Sequence, residues 1–183
     1  KIEKKGLVFI NTDTTLPLGF NAYATSKKEF IEKAKSEFSR LKIINLICEQ
    51  FYGPSDGTFV SFVKETLERG KEVELTSGLQ ERDFIYIEDI VRAFYIVFQK
   101  ADDLDGNWHE FEVGSGEARS IREIGEMICS IMNKDQSLLK WGAKPLRDGE
   151  IMKSVADTTK LKNLGWVRHF SLEEGLKVTV GEK

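Results

Sequence analysis

The feature that most limits how this chain folds is an alternation of short apolar runs with segments of helical periodicity. Residues 6–11 and residues 41–47 (LKIINLI) are apolar and too short for helices, so each predicts a buried strand. Between them, apolar residues at every fourth position predict a helix from Tyr23 to Arg40. Buried strands that alternate with helices favour an α/β fold with a parallel sheet.

The pattern continues to the end of the chain with shorter elements. We predict further helices at residues 58–69, at 88–100, from Ser120, at 158–163 and from Leu172, and further strands at EVEL, RDFIYI, EFEV and near Leu139. The short strands and irregular connections favour a second, smaller lobe from about residue 50 onward.

Composition and charge argue against several classes of partner. The 183 residues carry a net charge of −3, and the lysines and arginines are spread along the chain. This gives no electrostatic basis for nucleic acid or a membrane surface as the main partner. No apolar run approaches the roughly 20 residues that a membrane-spanning helix needs. Cys48 and Cys129 lie in apolar surroundings without metal-ligand spacing, so we expect buried reduced thiols, no metal site and a cytoplasmic location.

The string FINTDTTLPLGFNAYATSKKEF, residues 9–30, places Tyr23 and Lys27 four positions apart on the predicted helix. Residues at i and i+4 share one helix face, and an ammonium group beside a phenol favours the phenolate form. Such a pair suits general acid–base catalysis near neutral pH. Thr12, at the end of the preceding strand, is placed to hydrogen-bond the same substrate oxygen. The spacing alone leaves an ordinary helix surface as the alternative.

Further strings stand in the same order as in a known family. They are YGP at residues 52–54, RDFIYIEDIVRAF, FEVGSGEARSIREIGEMI, and the terminal LGW and SLEEGL segments. Together with Thr12 and the Tyr23–Lys27 pair, they resemble the extended short-chain dehydrogenase/reductases, and more narrowly the nucleotide-sugar epimerases, dehydratases and ketoreductases. The resemblance implies the C-terminal part of a Rossmann-like parallel sheet in residues 1–50. It implies mainly a smaller α/β substrate-binding lobe in residues 51–183, with some segments that return to the sheet.

In that family a tyrosine, a lysine and a Ser/Thr act together on the sugar. The resemblance therefore implies that Tyr23 exchanges a proton with the substrate and that Thr12 orients it. It implies that Lys27 contacts the nicotinamide ribose and tunes the tyrosine. NAD or NADP is the implied cofactor, and a nucleotide-linked sugar is the implied substrate.

Three other positions match residues that contact cofactor or substrate in the family. Arg82, directly before Asp-Phe, matches an arginine that meets the diphosphate of the sugar nucleotide, and Arg147 matches a second nucleotide-contacting arginine. A guanidinium fork can bond two phosphate oxygens at once, and a surface salt bridge is the alternative for each arginine. Gln50 stands where the family has an asparagine that contacts cofactor or substrate.

The string TDT, residues 12–14, separates the activities that the resemblance allows. In the 4,6-dehydratases the aspartate is the acid for the departing C6 hydroxyl, and a glutamate follows it as the base for the C5 proton. Asp13 fits the acid, but Thr14 cannot act as the base, so a dehydratase is disfavoured. The string and its neighbours most resemble the CDP-abequose-synthase type of 4-ketoreductase, which reduces a CDP-linked 4-keto-deoxyhexose. A sugar 4-epimerase, which needs only the threonine, tyrosine and lysine, stays open.

The glycine-rich phosphate loop of a dinucleotide-binding fold is absent from the sequence. That loop follows the first strand, whereas GSGEAR, residues 114–119, has two of the glycines and predicts a turn. Because the chain also opens on Lys1 just before a strand, we expect the C-terminal half of such an enzyme. A sugar-nucleotide-binding module without activity is therefore an alternative for the chain by itself.

The helix with the tyrosine and lysine also bears on assembly. Phe30, Ala34 and Phe38 lie on one of its faces, and the helix resembles one that this family uses for a four-helix contact between subunits. We therefore expect a homodimer. Burial of the same residues in the core of the monomer is the alternative.

Overall fold

The computed structural model describes residues 6–38, 40–54 and 57–181. Within these ranges the strands are β1 (Val8–Thr14), β2 (Lys42–Cys48), β3 (Gln50–Tyr52), β4 (Val73–Glu74), β5 (Glu81–Tyr86), β6 (Trp108–Val113), β7 (Ala118–Ser120) and β8 (Leu139–Lys140). The helices are α1 (Ala22–Glu37), α2 (Phe59–Glu68), α3 (Ile87–Lys100), α4 (Ile121–Ile131), α5 (Thr159–Asn163) and α6 (Leu172–Val180), with 3₁₀ turns at Ala101–Asp103 and Gln136–Leu138.

β1, β2 and β6 form a parallel sheet with β2 in its centre, which confirms the predicted α/β class. Most of β2 is buried, as expected for a central parallel strand. β6 comes from the later part of the chain and returns to this sheet. Asn45 in β2 stands opposite Asn11 in β1 and Glu110 in β6, so polar residues cross the sheet in one row.

The second sheet contains β3, β5 and β7, and β5 lies in its centre. β3 runs parallel and β7 antiparallel to β5, while β4 and β8 form a separate short parallel pair. Successive side chains of a strand point to opposite faces, and β5 buries both of its faces. Phe84 and Tyr86 pack in a core with α2, α4 and α6, whereas Ile85 packs in another core with β2, β6 and α3. β5 therefore joins the two cores.

Helix α1 begins as predicted but ends earlier. The Asn21 side chain accepts a hydrogen bond from the Ala24 amide at 2.8 Å and caps the helix. At the other end, the Phe38 amide still bonds to the Ala34 carbonyl, but the Phe38 backbone has left the helical region. The prediction of a helix to Arg40 was therefore wrong in its last turn, although residue 39 lies outside the described ranges.

Strand β1 is longer than predicted, because its ladder with β2 continues through the polar residues up to the pair Thr14 and Cys48. The TDT string therefore belongs to the strand. Conversely, only Val73–Glu74 of the EVEL segment is paired. The YGPSDG segment, residues 52–57, also predicts a turn from its sequence, but it includes residues 55 and 56, which lie outside the described ranges.

Both cysteines are free and buried, which confirms their prediction as buried thiols. Burial raises the pKa of the Cys48 thiol to about 12, so this thiol stays protonated at neutral pH. No helix in the described part of the chain combines the length and apolar character needed to cross a bilayer.

Candidate active site

The carboxyl end of β1 and the first turns of α1 bring Thr12, Tyr23 and Lys27 together. Lys27 Nζ donates a hydrogen bond to the Thr12 carbonyl at 2.6 Å and lies 5.7 Å from the centroid of the Tyr23 ring. The i, i+4 spacing on a capped helix produces this geometry. Tyr23 is 56% exposed, so a ligand can reach its phenol. The arrangement places the Lys27 ammonium group beside both the Tyr23 ring and the backbone of Thr12.

Asp13 neighbours Thr12 in β1, but its side chain points to the opposite face of the strand and is almost fully buried. Its Oδ2 accepts hydrogen bonds from Lys28 Nζ at 3.0 Å and from Asn45 Nδ2 at 3.1 Å. Its Oδ1 accepts one from the Thr14 amide at 2.8 Å. Burial by itself raises the pKa of Asp13, but these hydrogen bonds and the lysine charge outweigh it and lower the pKa below its usual value.

A polar network continues from Asp13 across the sheet. Asn11 Nδ2 donates to Asn45 Oδ1 at 2.8 Å, and Asn45 Nδ2 also donates to Glu110 Oε2 at 3.2 Å. Asn45 thus contacts carboxylates on both neighbouring strands. This network fixes the end of β1, and Thr12 with it, through side chains that lie away from the surface cluster.

A cavity of about 410 Å³, called here the outer cavity, lies between the start of β5 and the segment 144–150. Its charged side chains are three cations and one carboxylate, namely Arg82, Lys144, Arg147 and Glu150. Its other side chains include Gln50, Gln80 and the ring of Phe84. The excess of positive charge suits an anionic ligand. The structure therefore brings both sequence-predicted arginines into one cavity wall.

Glu150 holds the two arginines. Its Oε1 accepts from Arg82 Nη2 at 2.6 Å and its Oε2 from Arg147 Nε at 2.7 Å. The Arg147 guanidinium also lies 4.6 Å over the ring of Phe20, which belongs to the loop after β1. The salt bridges considered as an alternative do exist, but Arg82 and Glu150 are largely buried in the cavity wall.

Asp83, the neighbour of Arg82, is fully buried and anchors two segments of backbone. Its carboxylate accepts hydrogen bonds from the amides of Ser115 at 2.7 Å, Gly116 at 2.9 Å and Ala156 at 3.2 Å. This explains the GSGEAR string: its first four residues form the predicted turn, while Ala118 and Arg119 belong to β7. The amides of Ser115 and Gly116 are bound to a carboxylate of the same chain.

A second cavity, about 190 Å³ and called here the inner cavity, adjoins the first. The two share Gln50, Arg82 and Arg147 in their walls. The inner cavity also contacts Thr14, Cys48, Glu49 and Ser154. Gln50 therefore stands among the predicted substrate contacts. Thr12, Tyr23 and Lys27 do not line either cavity, but Thr14 belongs to the same strand end as Thr12.

Glu49 is the buried carboxyl group of the inner cavity. Ser154 Oγ donates to its Oε1 at 2.7 Å. Burial raises the pKa of Glu49 to about 7, with Asp83 and Glu112 adding to the rise, while the Ser154 hydrogen bond and Arg82 oppose it. This carboxyl group can therefore change its charge near neutral pH.

Several residues of the site were not predicted from the sequence. They are Lys28, Asn45, Glu49, Glu150 and Ser154. A signal existed for Glu49: it is an acidic residue placed directly after a buried strand, at the edge where ligands bind in parallel sheets. The other four carry no such mark, because their partners lie far away in the sequence.

Comparison with known proteins gives a family match and relatives. Residues 9–114 match the model of the NAD dependent epimerase/dehydratase family. The CDP-abequose synthase of Salmonella muenchen is 33% identical over 167 residues, which are 88% of this chain and 56% of that protein. The CDP-abequose synthase of Salmonella typhimurium is 29% identical over 188 residues, covering 96% and 62%. The chain thus spans about three fifths of the length of these relatives.

Solved structures agree with this match. A UDP-glucose 4-epimerase from Thermotoga maritima, solved with UDP-glucose, has a TM-score of 0.78 at 28% identity and covers 94% of this chain and 62% of that one. A UDP-glucose 4-epimerase from Thermus thermophilus, solved with NAD, has a TM-score of 0.76 at 21% identity, with coverage of 95% and 63%. At 21% identity, the match to the Thermus thermophilus enzyme supports the fold alone.

Proposed function

The chain belongs to the NAD dependent epimerase/dehydratase family, and we propose that the protein reduces the C4 ketone of a nucleotide-linked deoxysugar. The observation that carries the proposal is the cluster of Thr12, Tyr23 and Lys27, with the lysine Nζ 2.6 Å from the Thr12 carbonyl. The Salmonella relatives, both CDP-abequose synthases, support this choice within the family. Thr14 favours the same choice, because it replaces the carboxylate that a dehydratase would need.

In this proposal each residue of the cluster has one task. Tyr23 donates its phenolic proton to the C4 oxygen, and the Thr12 hydroxyl hydrogen-bonds the same oxygen and orients the ring. Lys27 holds the ribose of the nicotinamide nucleotide and keeps a positive charge beside the phenol. Reduced NAD or NADP supplies the hydride for C4 when it is bound. The exposure of Tyr23 fits a cofactor and substrate that meet at this surface.

Asp13 and Gln50 receive roles that follow from their surroundings. Asp13 is held by Lys28 and Asn45 below the cluster, so we assign it to positioning the strand end that carries Thr12. Gln50 lies beside Arg82 in both cavities, which supports a contact with substrate rather than with cofactor.

The two arginines bind the diphosphate of the substrate in this proposal. Arg82 and Arg147 are already ordered by Glu150, so their guanidinium groups face the cavity in a fixed arrangement. The nucleoside would occupy the outer cavity and the sugar the inner one, toward the end of β1. A sugar 4-epimerase is the second candidate, because the Thermotoga enzyme, a UDP-glucose 4-epimerase, shares 28% identity and nearly the whole described fold.

The test replaces Tyr23→Phe in the intact protein. Turnover of CDP- or dTDP-linked 4-keto-6-deoxyhexose with NADPH or NADH should fall at least about a hundredfold, because the proton donor is gone, while binding of the sugar nucleotide persists. Tyr95→Phe, at a similarly exposed tyrosine of α3, is the control and should keep full activity. Full activity of the Tyr23 variant would sink the proposal. Interconversion of C4 isomers without net use of reduced cofactor would select the epimerase.

We also propose a homodimer formed through α1. Ala34 of α1 is buried, but Phe30 is 47% and Phe38 52% exposed, so the monomer covers only part of the expected apolar face. Phe30→Glu should lower the mass measured by light scattering toward that of a monomer. Phe98→Glu, at an exposed phenylalanine of α3, should leave it unchanged. Equal masses for wild type and the Phe30 variant would rule out this interface.

A further inference from the structure

The proposed function makes no use of the buried carboxyl group in the inner cavity. We propose that Glu49 binds a hydroxyl group of the sugar ring, and that Ser154 is the positioning residue that aims it. The inference rests on the proposed function, because it assumes a nucleotide-linked sugar in this cavity. Glu49 would then select the sugar by the pattern of its hydroxyl groups, a role that the proposed function does not include.

The Glu49–Ser154 contact is held by backbone hydrogen bonds at both ends. The Glu49 amide donates to the Val113 carbonyl at 2.9 Å, which fixes it to the end of β6. The Ser154 amide donates to the Glu81 carbonyl at 3.1 Å, which fixes it to the start of β5. The side-chain bond of 2.7 Å therefore spans two secured pieces of backbone, and the carboxyl group has a defined direction.

The second oxygen of Glu49 carries the inference. The residue is only 6% exposed, and its Oε2 accepts no hydrogen bond from residues 6–38, 40–54 and 57–181. This oxygen is not fully enclosed, because Ser77 Oγ is the only fully buried side-chain atom without a partner in these ranges. Most nearly buried polar groups are hydrogen-bonded within the protein, so a carboxyl group with one oxygen left open at a cavity is available to a ligand. Here the group faces a cavity, where a ligand hydroxyl can supply the second bond.

The charges around Glu49 make a hydroxyl a better ligand than a phosphate. Asp83 and Glu112 repel negative charge at this point, and among the described residues Arg82 is the cation whose charge acts against them on Glu49. A phosphate therefore belongs beside the two arginines, and the neutral sugar next to it meets Glu49. A hydroxyl both donates and accepts, so it can bond to the ionised and to the neutral carboxyl group.

The experiment measures the binding of a nucleoside diphosphate with and without its sugar. Calorimetry gives Kd for UDP and UDP-glucose, and for CDP and CDP-glucose, on the intact protein and on its variants. Glu49→Met should weaken the sugar nucleotide about tenfold, as expected for one lost hydrogen bond to a carboxyl group, and leave the diphosphate unchanged. Glu49→Gln keeps a donor and an acceptor and should stay within about threefold of wild type.

Two further variants separate a specific contact from a structural effect. Ser154→Ala should weaken only the sugar nucleotide and should reduce discrimination between glucose and its monodeoxy analogues. Glu112→Gln, at a nearby acid outside the cavity, should change neither ligand. If Glu49→Met binds both ligands as wild type does, or loses both equally, the inference is wrong and the proposed function stands. If wild type binds neither ligand, the proposed function itself is rejected, and the inference with it.

Discussion

Asp13 and Glu49 stand at the ends of neighbouring parallel strands, and both are buried, but their surroundings differ. Asp13 accepts three hydrogen bonds, one from a lysine, and its pKa is lowered. Glu49 accepts one, from Ser154, and burial raises its pKa to about 7. Burial is therefore common to both, and the partners set the sign of the shift.

The two carboxyl groups differ in how much of their hydrogen-bonding capacity the protein itself uses. The Asp13 carboxylate is fully engaged within the protein, which makes it part of the scaffold. The Glu49 carboxyl group keeps one oxygen without a partner among the described residues, and the residue lines a cavity. An unused hydrogen-bonding atom in a concave site is a better mark of ligand binding than an acidic residue as such.

The largest effect is expected from Lys28→Met. The substitution leaves Asp13 buried with its main counter-charge removed, so the free energy of unfolding should fall by about 2–4 kcal/mol. Urea unfolding followed by circular dichroism at pH 7 measures it.

Lys33→Met on the same helix is the matched control. Lys33 and Glu37 form an exposed pair at 3.8 Å, and its loss should change the free energy of unfolding by less than about 0.5 kcal/mol. Equal effects of the two substitutions would show that the Asp13 carboxylate does not depend on its lysine, and the comparison would fail.

A smaller effect is expected from pH. The folded-state pKa of Glu49 lies above its ordinary value of 4.5, so its contribution to stability is complete below about pH 4.5 and is lost as pH rises through about 7. Asp13 behaves oppositely: its pKa is lowered from 3.8, so its contribution is complete above that pH and is lost only as pH falls below it. Asp13 therefore loses its contribution in acid, and Glu49 loses its contribution as pH rises through neutrality.

The measurement compares wild type with Glu49→Gln from pH 5 to pH 8. The free energy of unfolding of wild type relative to the variant should fall by about 2 kcal/mol over this range, because one proton changes stability by at most about 1.4 kcal/mol per pH unit. A flat difference would mean that the pKa of Glu49 is not raised in the folded protein, and the contrast with Asp13 would fail.

Much of the fold followed from local pattern. The alternation of apolar runs and helical periods predicted the parallel sheet, and the i, i+4 spacing of Tyr23 and Lys27 predicted their proximity to each other. The ends of elements were less predictable. β1 continues through the TDT string because its hydrogen bonds to β2 continue there. The local sequence of these three residues does not predict this extension.

The contacts that complete the site are long-range, and this is why the sequence did not reveal them. Glu49 meets Ser154 across 105 positions, and Arg82 meets Glu150 across 68. Both contacts depend on the pairing of residues 151–154 with the start of β5, where Lys153 bridges to Glu81. A serine and a glutamate in an irregular segment carry no periodic signal, so only the folded backbone gives them a role.

Asp83 has a consequence for the thermodynamics of recognition. Its carboxylate gathers the amides of Ser115, Gly116 and Ala156 around the residue that follows Arg82. The backbone on which Arg82 sits is therefore immobilised when the chain folds, before any ligand arrives. A ligand that engages this guanidinium loses no free energy to ordering the loops around it, so more of the interaction appears as affinity.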